Sequence, residues 1–129
     1  MIPQLKSIFN KNQWVQIQNW VNGRLSLKTD KFDANNTASG ASSVTLNTTS
    51  GVAVFTSSIP VSDFLSFELN NTNISSTSIL SLDLAYNDEG TPIIAYYSCS
   101  SNKVFITIAN INPTDVTNGN LSVSFQILN

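Results

Sequence analysis

From residue 44 to residue 128 the chain repeats one device. Short runs alternate apolar and polar side chains with a period of two and are separated by clusters of turn formers. Leu65, Phe67 and Leu69 share one phase, as do Leu80, Leu82 and Leu84, with Ser81 and Asp83 on the other. Val104, Ile106 and Ile108 repeat the pattern, and Leu121, Val123, Phe125 and Ile127 alternate with Ser122, Ser124 and Gln126. Successive side chains of a β-strand point to opposite faces, so this alternation is that of half-buried strands. Strands with one dry face must stack as two sheets to cover it.

The punctuation between these runs fits the same scheme. Residues 48–51 (Thr-Thr-Ser-Gly), 70–76, 87–90 (Asn-Asp-Glu-Gly), 100–102 and 110–120 are rich in Asn, Ser, Asp and Gly, and Pro60 interrupts 57–62. Eight or nine strands of five to eight residues are expected, at 44–46, 52–56, 64–69, 78–85, 91–98, 103–109 and 121–128, with shorter runs nearer the start. The expected fold is all-β, a single antiparallel β-sandwich of jelly-roll or Greek-key type.

Upstream the pattern changes. Ile2, Leu5, Ile8 and Phe9 sit at helical spacing, and Pro3 permits a short helix starting there. Residues 13–21 then alternate as a strand that carries Trp14 and Trp20 and stops at Asn22-Gly23. The two tryptophans read either as sheet-packing residues or as contacts to a neighbouring subunit, where tryptophan is enriched. Residues 1–22 are therefore assigned as an N-terminal arm or docking segment, and 23–129 as the sandwich domain. Candidate interface residues are Ile2, Leu5, Ile8, Phe9, Trp14 and Trp20. Residues 24–28 form a short alternating strand, and the small, polar residues 29–43 are expected to be a loop.

Composition narrows the chemistry. Charged residues are 11% of the chain, less than half of the roughly 25% usual in a soluble domain. Their place is taken by 19 Ser, 12 Thr and 17 Asn. No histidine is present, which removes the usual general base, the Ser/His/Asp and Cys/His nucleophile systems and the commonest metal ligand. Cys99 is alone, so no intrachain disulfide can form, and it reads as a small buried apolar residue. Glu68 and Asp83 could lie on adjacent strands, both facing outward, where solvated carboxylates are routine and a glycosidase pair is not expected. Residues 30–36 and 87–90 are acidic or amide-rich but lack the alternating acid spacing of a calcium loop. No catalytic set, cofactor or metal is expected.

Partners are constrained in the same way. With net charge −2 and five Lys and one Arg taken as scattered, no basic footprint for nucleic acid is expected. No apolar run approaches a membrane span, and the first residues have no basic stretch followed by an apolar one, so neither a membrane span nor a signal peptide is expected. The five Asn-X-Ser/Thr sequons, at Asn35, Asn47, Asn70, Asn73 and Asn120, are discounted on that basis. Tyr86, Tyr96 and Tyr97 could offer a ring to a sugar, although neighbours on a strand point to opposite faces.

The second half also carries a recognisable order of segments. Asn-Ile-Ser-Ser-Thr-Ser-Ile at 73–79 precedes a strand and Gly-Thr-Pro at 90–92. Val-Phe-Ile-Thr-Ile-Ala-Asn follows at 104–110, and Asn-Gly-Asn-Leu-Ser-Val-Ser-Phe at 118–125 closes the chain. This order resembles a class of small β-sandwich virion structural proteins from tailed phages, notably cyanophages and other aquatic phages, and from large algal viruses. The likeness covers residues 70–129, with a weaker echo over 44–55, and consists of core and turn positions, so it transfers no functional residue. It implies a virion component assembled in the host cytoplasm: a capsid decoration protein, a fibre or knob, or a minor structural protein. It further implies a homo-oligomer, a trimer by preference, that contacts other virion proteins such as the major capsid protein. The alternative is a lectin-like module that recognises a cell-surface glycan.

Overall fold

A computed structural model of the chain describes residues 32–128, all-β without a helix. Eight strands follow in order: β1 (Thr37–Gly40), β2 (Ser43–Thr45), β3 (Ser50–Phe55), β4 (Asp63–Asn70), β5 (Leu80–Ala85), β6 (Pro92–Ser100), β7 (Lys103–Asn110) and β8 (Leu121–Ile127). They form two four-stranded sheets, β1-β3-β8-β5 and β2-β4-β7-β6, stacked as a sandwich. We call these the first and the second sheet. The expected arm at 1–22, with Ile2, Leu5, Ile8, Phe9, Trp14 and Trp20, and the expected strand at 24–28 lie outside the described residues.

The dry phases read from the sequence meet between the sheets. Ala53, Phe55, Leu121, Val123 and Phe125 of the first sheet face Phe67, Leu69, Val104, Ile106 and Ile108 of the second, and all are essentially inaccessible. Phe55 and Phe67 touch across the gap, with ring centroids 4.8 Å apart and planes tilted by 39°. Burying one such side chain contributes about 1.5–3 kcal/mol, so this layer supplies most of the driving force.

Strand pairing is nested. β3 pairs with β8 and β4 with β7, while β5 and β6 add outside β8 and β7 at one flank. These ladders are antiparallel, as expected. The opposite flank differs, because β1 runs parallel to β3 and β2 parallel to β4. The reason is a repeated crossover. The chain passes from the first sheet to the second through Ala41 and Ser42, then makes the same passage again from β3 to β4, so the two crossings lie side by side.

β1 also corrects the expected loop at 29–43. Its residues Thr-Ala-Ser-Gly turn only Ala38 and Gly40 inward, too little apolar surface to show as alternation. A Cβ at Gly40 would collide with the Ser43 carbonyl oxygen, so the close crossing requires glycine.

Two buried asparagines organise the two ends. At one end Asn110 Nδ2 donates to the carbonyls of Ile59 (3.2 Å), Pro60 (3.2 Å) and Asp115 (2.8 Å), and its Oδ1 accepts from the Thr91 and Asn112 N–H groups. This ties together the loops at 56–62, 86–91 and 111–120. Thr117, fully buried, accepts from the Ile59 N–H at 2.7 Å in the same cluster. At the other end Asn71 Nδ2 donates to the Thr48 carbonyl and Asn71 Oδ1 accepts from the Asn73 N–H. Asn102 closes the β6–β7 hairpin there with φ +63°, a conformation asparagine tolerates better than most residues.

Candidate binding surface

The outward phases of the two sheets carry different chemistry. On the first sheet they are Thr37, Ser39, Val52, Val54, Ser81, Asp83, Ala85, Ser122, Ser124 and Gln126, mostly hydroxyls and small groups. On the second sheet, register places Phe64, Ala109 and Ile93 in one row across β4, β7 and β6. Ser66, Thr107 and Tyr96 form the next row, Glu68, Phe105 and Ser98 the third, and Asn70, Lys103 and Ser100 the last. Phe64 is 59% exposed, Tyr96 60%, Ile93 43% and Phe105 39%, and Ile111 just beyond β7 is 57% exposed. Large apolar groups thus stand on the solvent side of a sheet whose inner side is already filled.

Four polar side chains on this face pair with one another. Ser66 Oγ and Thr107 Oγ1 share a hydrogen bond of 3.0 Å at its centre, where the flanking side chains leave Thr107 only 3% exposed. Lys103 Nζ reaches Glu68 Oε1 at 2.8 Å and lies 5.7 Å from the Phe105 ring centroid. The face offers rings and aliphatic groups, and the charges of Lys103 and Glu68 on it are paired with each other.

Beside the Phe64 row lies the Asn110 end, whose loops and adjoining strand start hold Asp63, Asp88, Glu89 and Asp115, with no Lys or Arg among them. A shallow cavity of about 230 Å³ opens there, lined by Ala85, Tyr86, Asn87, Asp88, Gly119 and Asn120. Tyr86 spans it: its hydroxyl accepts from the Asn118 N–H at 3.0 Å and donates to the Glu89 carbonyl. Asn118 Nδ2 in turn donates to Glu89 Oε2 at 2.8 Å. These bonds brace the two loops against each other across the cavity. Among the described residues, no three Cys, Asp or Glu side chains lie close enough to hold a metal ion.

Several residues singled out from the sequence take definite places. Glu68 and Asp83 both point outward, as read, but lie on different sheets and opposite faces and not on adjacent strands. The three tyrosines do not share a platform. Tyr97 is half-buried between the sheets, where its hydroxyl accepts from the Leu80 N–H at 3.1 Å, Tyr86 serves the loops, and Tyr96 alone stands on the outer face. A register shift between Ile94 and Tyr96 breaks strict alternation, which is why Tyr96 and Ile93 share a side. Cys99 is half-buried on the inner phase of β6, and that burial pushes its thiol pKa up. Asp33 Oδ1 accepts from the Asn35 N–H and closes the turn, and Asn36 Nδ2 donates to the Ser50 carbonyl and fastens that turn to β3.

The apolar face was missed in the sequence, although a signal existed. On β4, β6 and β7 large apolar residues occupy both phases of the alternation, whereas on β8 the outward phase is Ser, Ser and Gln. No family model, no curated protein and no solved structure matches this chain.

Proposed function

We propose that the chain is a non-enzymatic virion structural protein, a capsid decoration or fibre/knob component that acts through protein–protein assembly. The observation that carries this reading is the apolar outer face of the second sheet, with Phe64, Ile93, Tyr96 and Phe105 standing clear of the core. Surfaces of this kind mark association sites when they exceed what scattered exposure produces. The nested pairing of β3 with β8 and β4 with β7 supports the finer jelly-roll reading made from the sequence. The expected role for Ile2, Leu5, Ile8, Phe9, Trp14 and Trp20 is to dock the sandwich onto sister subunits, a trimer by preference, or onto the major capsid protein.

Mass spectrometry of purified particles tests the reading. Hundreds of copies relative to the major capsid protein identify shell decoration, a handful identify a fibre or vertex component, and absence from particles refutes it.

A second reading rests on Tyr96, whose exposed ring could stack on a sugar. A glycan array that becomes blank on Tyr96→Ala supports the lectin-like function, and one blank with the unaltered chain removes it.

A further inference from the structure

We infer that the apolar outer face of the second sheet is the seat of residues 1–31 from a neighbouring copy, so that subunits join arm to face. The inference rests on the assembly reading and names the surface and its occupant.

The first argument is charge. Contrary to the scattered distribution expected, the six bases of the chain are gathered toward one end. Lys6, Lys11, Arg24, Lys28 and Lys31 precede the described sandwich and are opposed only by Asp30, a net of +4. From residue 32 onward Lys103 stands alone against Asp33, Asp63, Glu68, Asp83, Asp88, Glu89 and Asp115, a net of −6. The two values sum to the −2 of the whole chain. Two sandwiches brought face to face would repel, whereas the N-terminal segment is attracted to any of them. Four of the acids, Asp63, Asp88, Glu89 and Asp115, border the end of the face that begins with the Phe64 row.

The second argument is apolar area. With about 200 Å² for a fully exposed large side chain, Phe64, Ile93, Tyr96, Phe105 and Ile111 leave roughly 500 Å² uncovered. That lies high in the range of the largest patch on a monomer, and is more than half of the ~800 Å² each partner gives to an ordinary interface. The first 31 residues carry apolar groups of matching kind, among them both tryptophans, Trp14 and Trp20. Residues 13–21, if extended, span about 30 Å, the length of a long strand.

The third argument is where the described chain starts. The Asp33 N–H is tied to Ser50 Oγ at 3.0 Å, at the beginning of β3 in the first sheet. The Asn71 bond to the Thr48 carbonyl fixes that region to the end of β4 opposite Phe64. The segment therefore sets out from the other sheet and the other end of the sandwich from the face in question. A face on another copy is the more direct seat, and head-to-tail contacts of this type close into rings such as a trimer.

Complementary variants of the full-length chain test this by light-scattering mass. Phe64→Asp spoils the face and keeps the segment, while the double variant Trp14→Ala/Trp20→Ala spoils the segment and keeps the face. The unaltered chain is expected to be oligomeric and to dissociate more readily at high salt. Each variant alone is expected at the 14.0 kDa mass of one chain, with an unchanged circular dichroism spectrum. An equimolar mixture of the two is expected to form a one-to-one pair, because one intact segment meets one intact face and the chain of contacts then stops. A tryptophan variant that stays oligomeric overturns the inference, since face-to-face association would not need those residues. Variants that lower the melting temperature without changing mass overturn it too, by placing the segment on its own sandwich. So does an unaltered chain that is monomeric yet retained on double-stranded DNA through its basic residues. Copy number in particles is read separately, so the virion reading can stand while this contact fails.

Discussion

The outer faces of the two sheets are built from the same chain, with the same number of strands, and differ in almost every other respect. The first presents Ser, Thr and Gln around two half-buried valines, and the second presents Phe64, Ile93, Tyr96 and Phe105 around a buried threonine. Their inner faces are alike, since both contribute fully buried aliphatic and phenylalanine side chains to one core. The core alone therefore does not explain the chemistry of the second sheet. Alternation guarantees one dry face per sheet, and a sheet with apolar groups on both phases has more to cover than its own sandwich provides.

The largest expected effect establishes what the two sheets share. Phe67→Ala in the second sheet and Phe125→Ala in the first each remove a fully buried ring and should cost about 3–5 kcal/mol in chemical denaturation. A cost near that of a surface change on either side would break the claim of one common core. Next comes Asn110→Ala, which strands the carbonyls of Ile59, Pro60 and Asp115 and the N–H groups of Thr91 and Asn112. A loss of about 2–3 kcal/mol is expected, with faster amide exchange confined first to the loops at that end.

Substitutions on the outer faces sharpen the contrast directly. Tyr96→Ala and Ser124→Ala should each change folding stability by no more than about 0.5 kcal/mol, because both side chains point away from the core. Tyr96→Ala alone is expected to weaken self-association, read by sedimentation, and equal effects from both substitutions would erase the distinction between the faces. A comparably small effect belongs to Lys103→Ala. The partners of this ion pair retain about a third of their side-chain exposure, so solvent screening holds the loss to about 0.2–1 kcal/mol, fading as salt is raised. Cys99 should react slowly with iodoacetamide near neutral pH, since burial raises its pKa and leaves less thiolate than a free cysteine carries.

Much of this was legible residue by residue. The runs at 64–69, 103–109 and 121–128 are strands within a residue or two, and Leu65, Phe67, Leu69, Val104, Ile106 and Ile108 point inward as their phase requires. β1 escaped because an edge strand of small residues has no phase to read. Its parallel pairing escaped because direction is set by the crossover at Ala41 and Ser42 and not by the strand residues. The candidate surface was hidden for a related reason. Phe64, Ile93 and Phe105 each look like core residues in one dimension, and the bulge before Tyr96 shifts the phase within β6.

The sequence by itself determined that the chain makes short strands with one dry phase, that it lacks imidazole chemistry, and that its bases gather ahead of its acids. Each of these is a local property or a sum, and needs no knowledge of which strand lies beside which. The tertiary structure alone decided that Phe64, Ala109 and Ile93 stand in one row, that Glu68 meets Lys103, and that Asn110 holds three loops together. Apart from Asn110 and Asp115, those neighbours are 16 to 51 residues apart in the chain, and register, which period-two alternation leaves undetermined, brings the strand residues side by side.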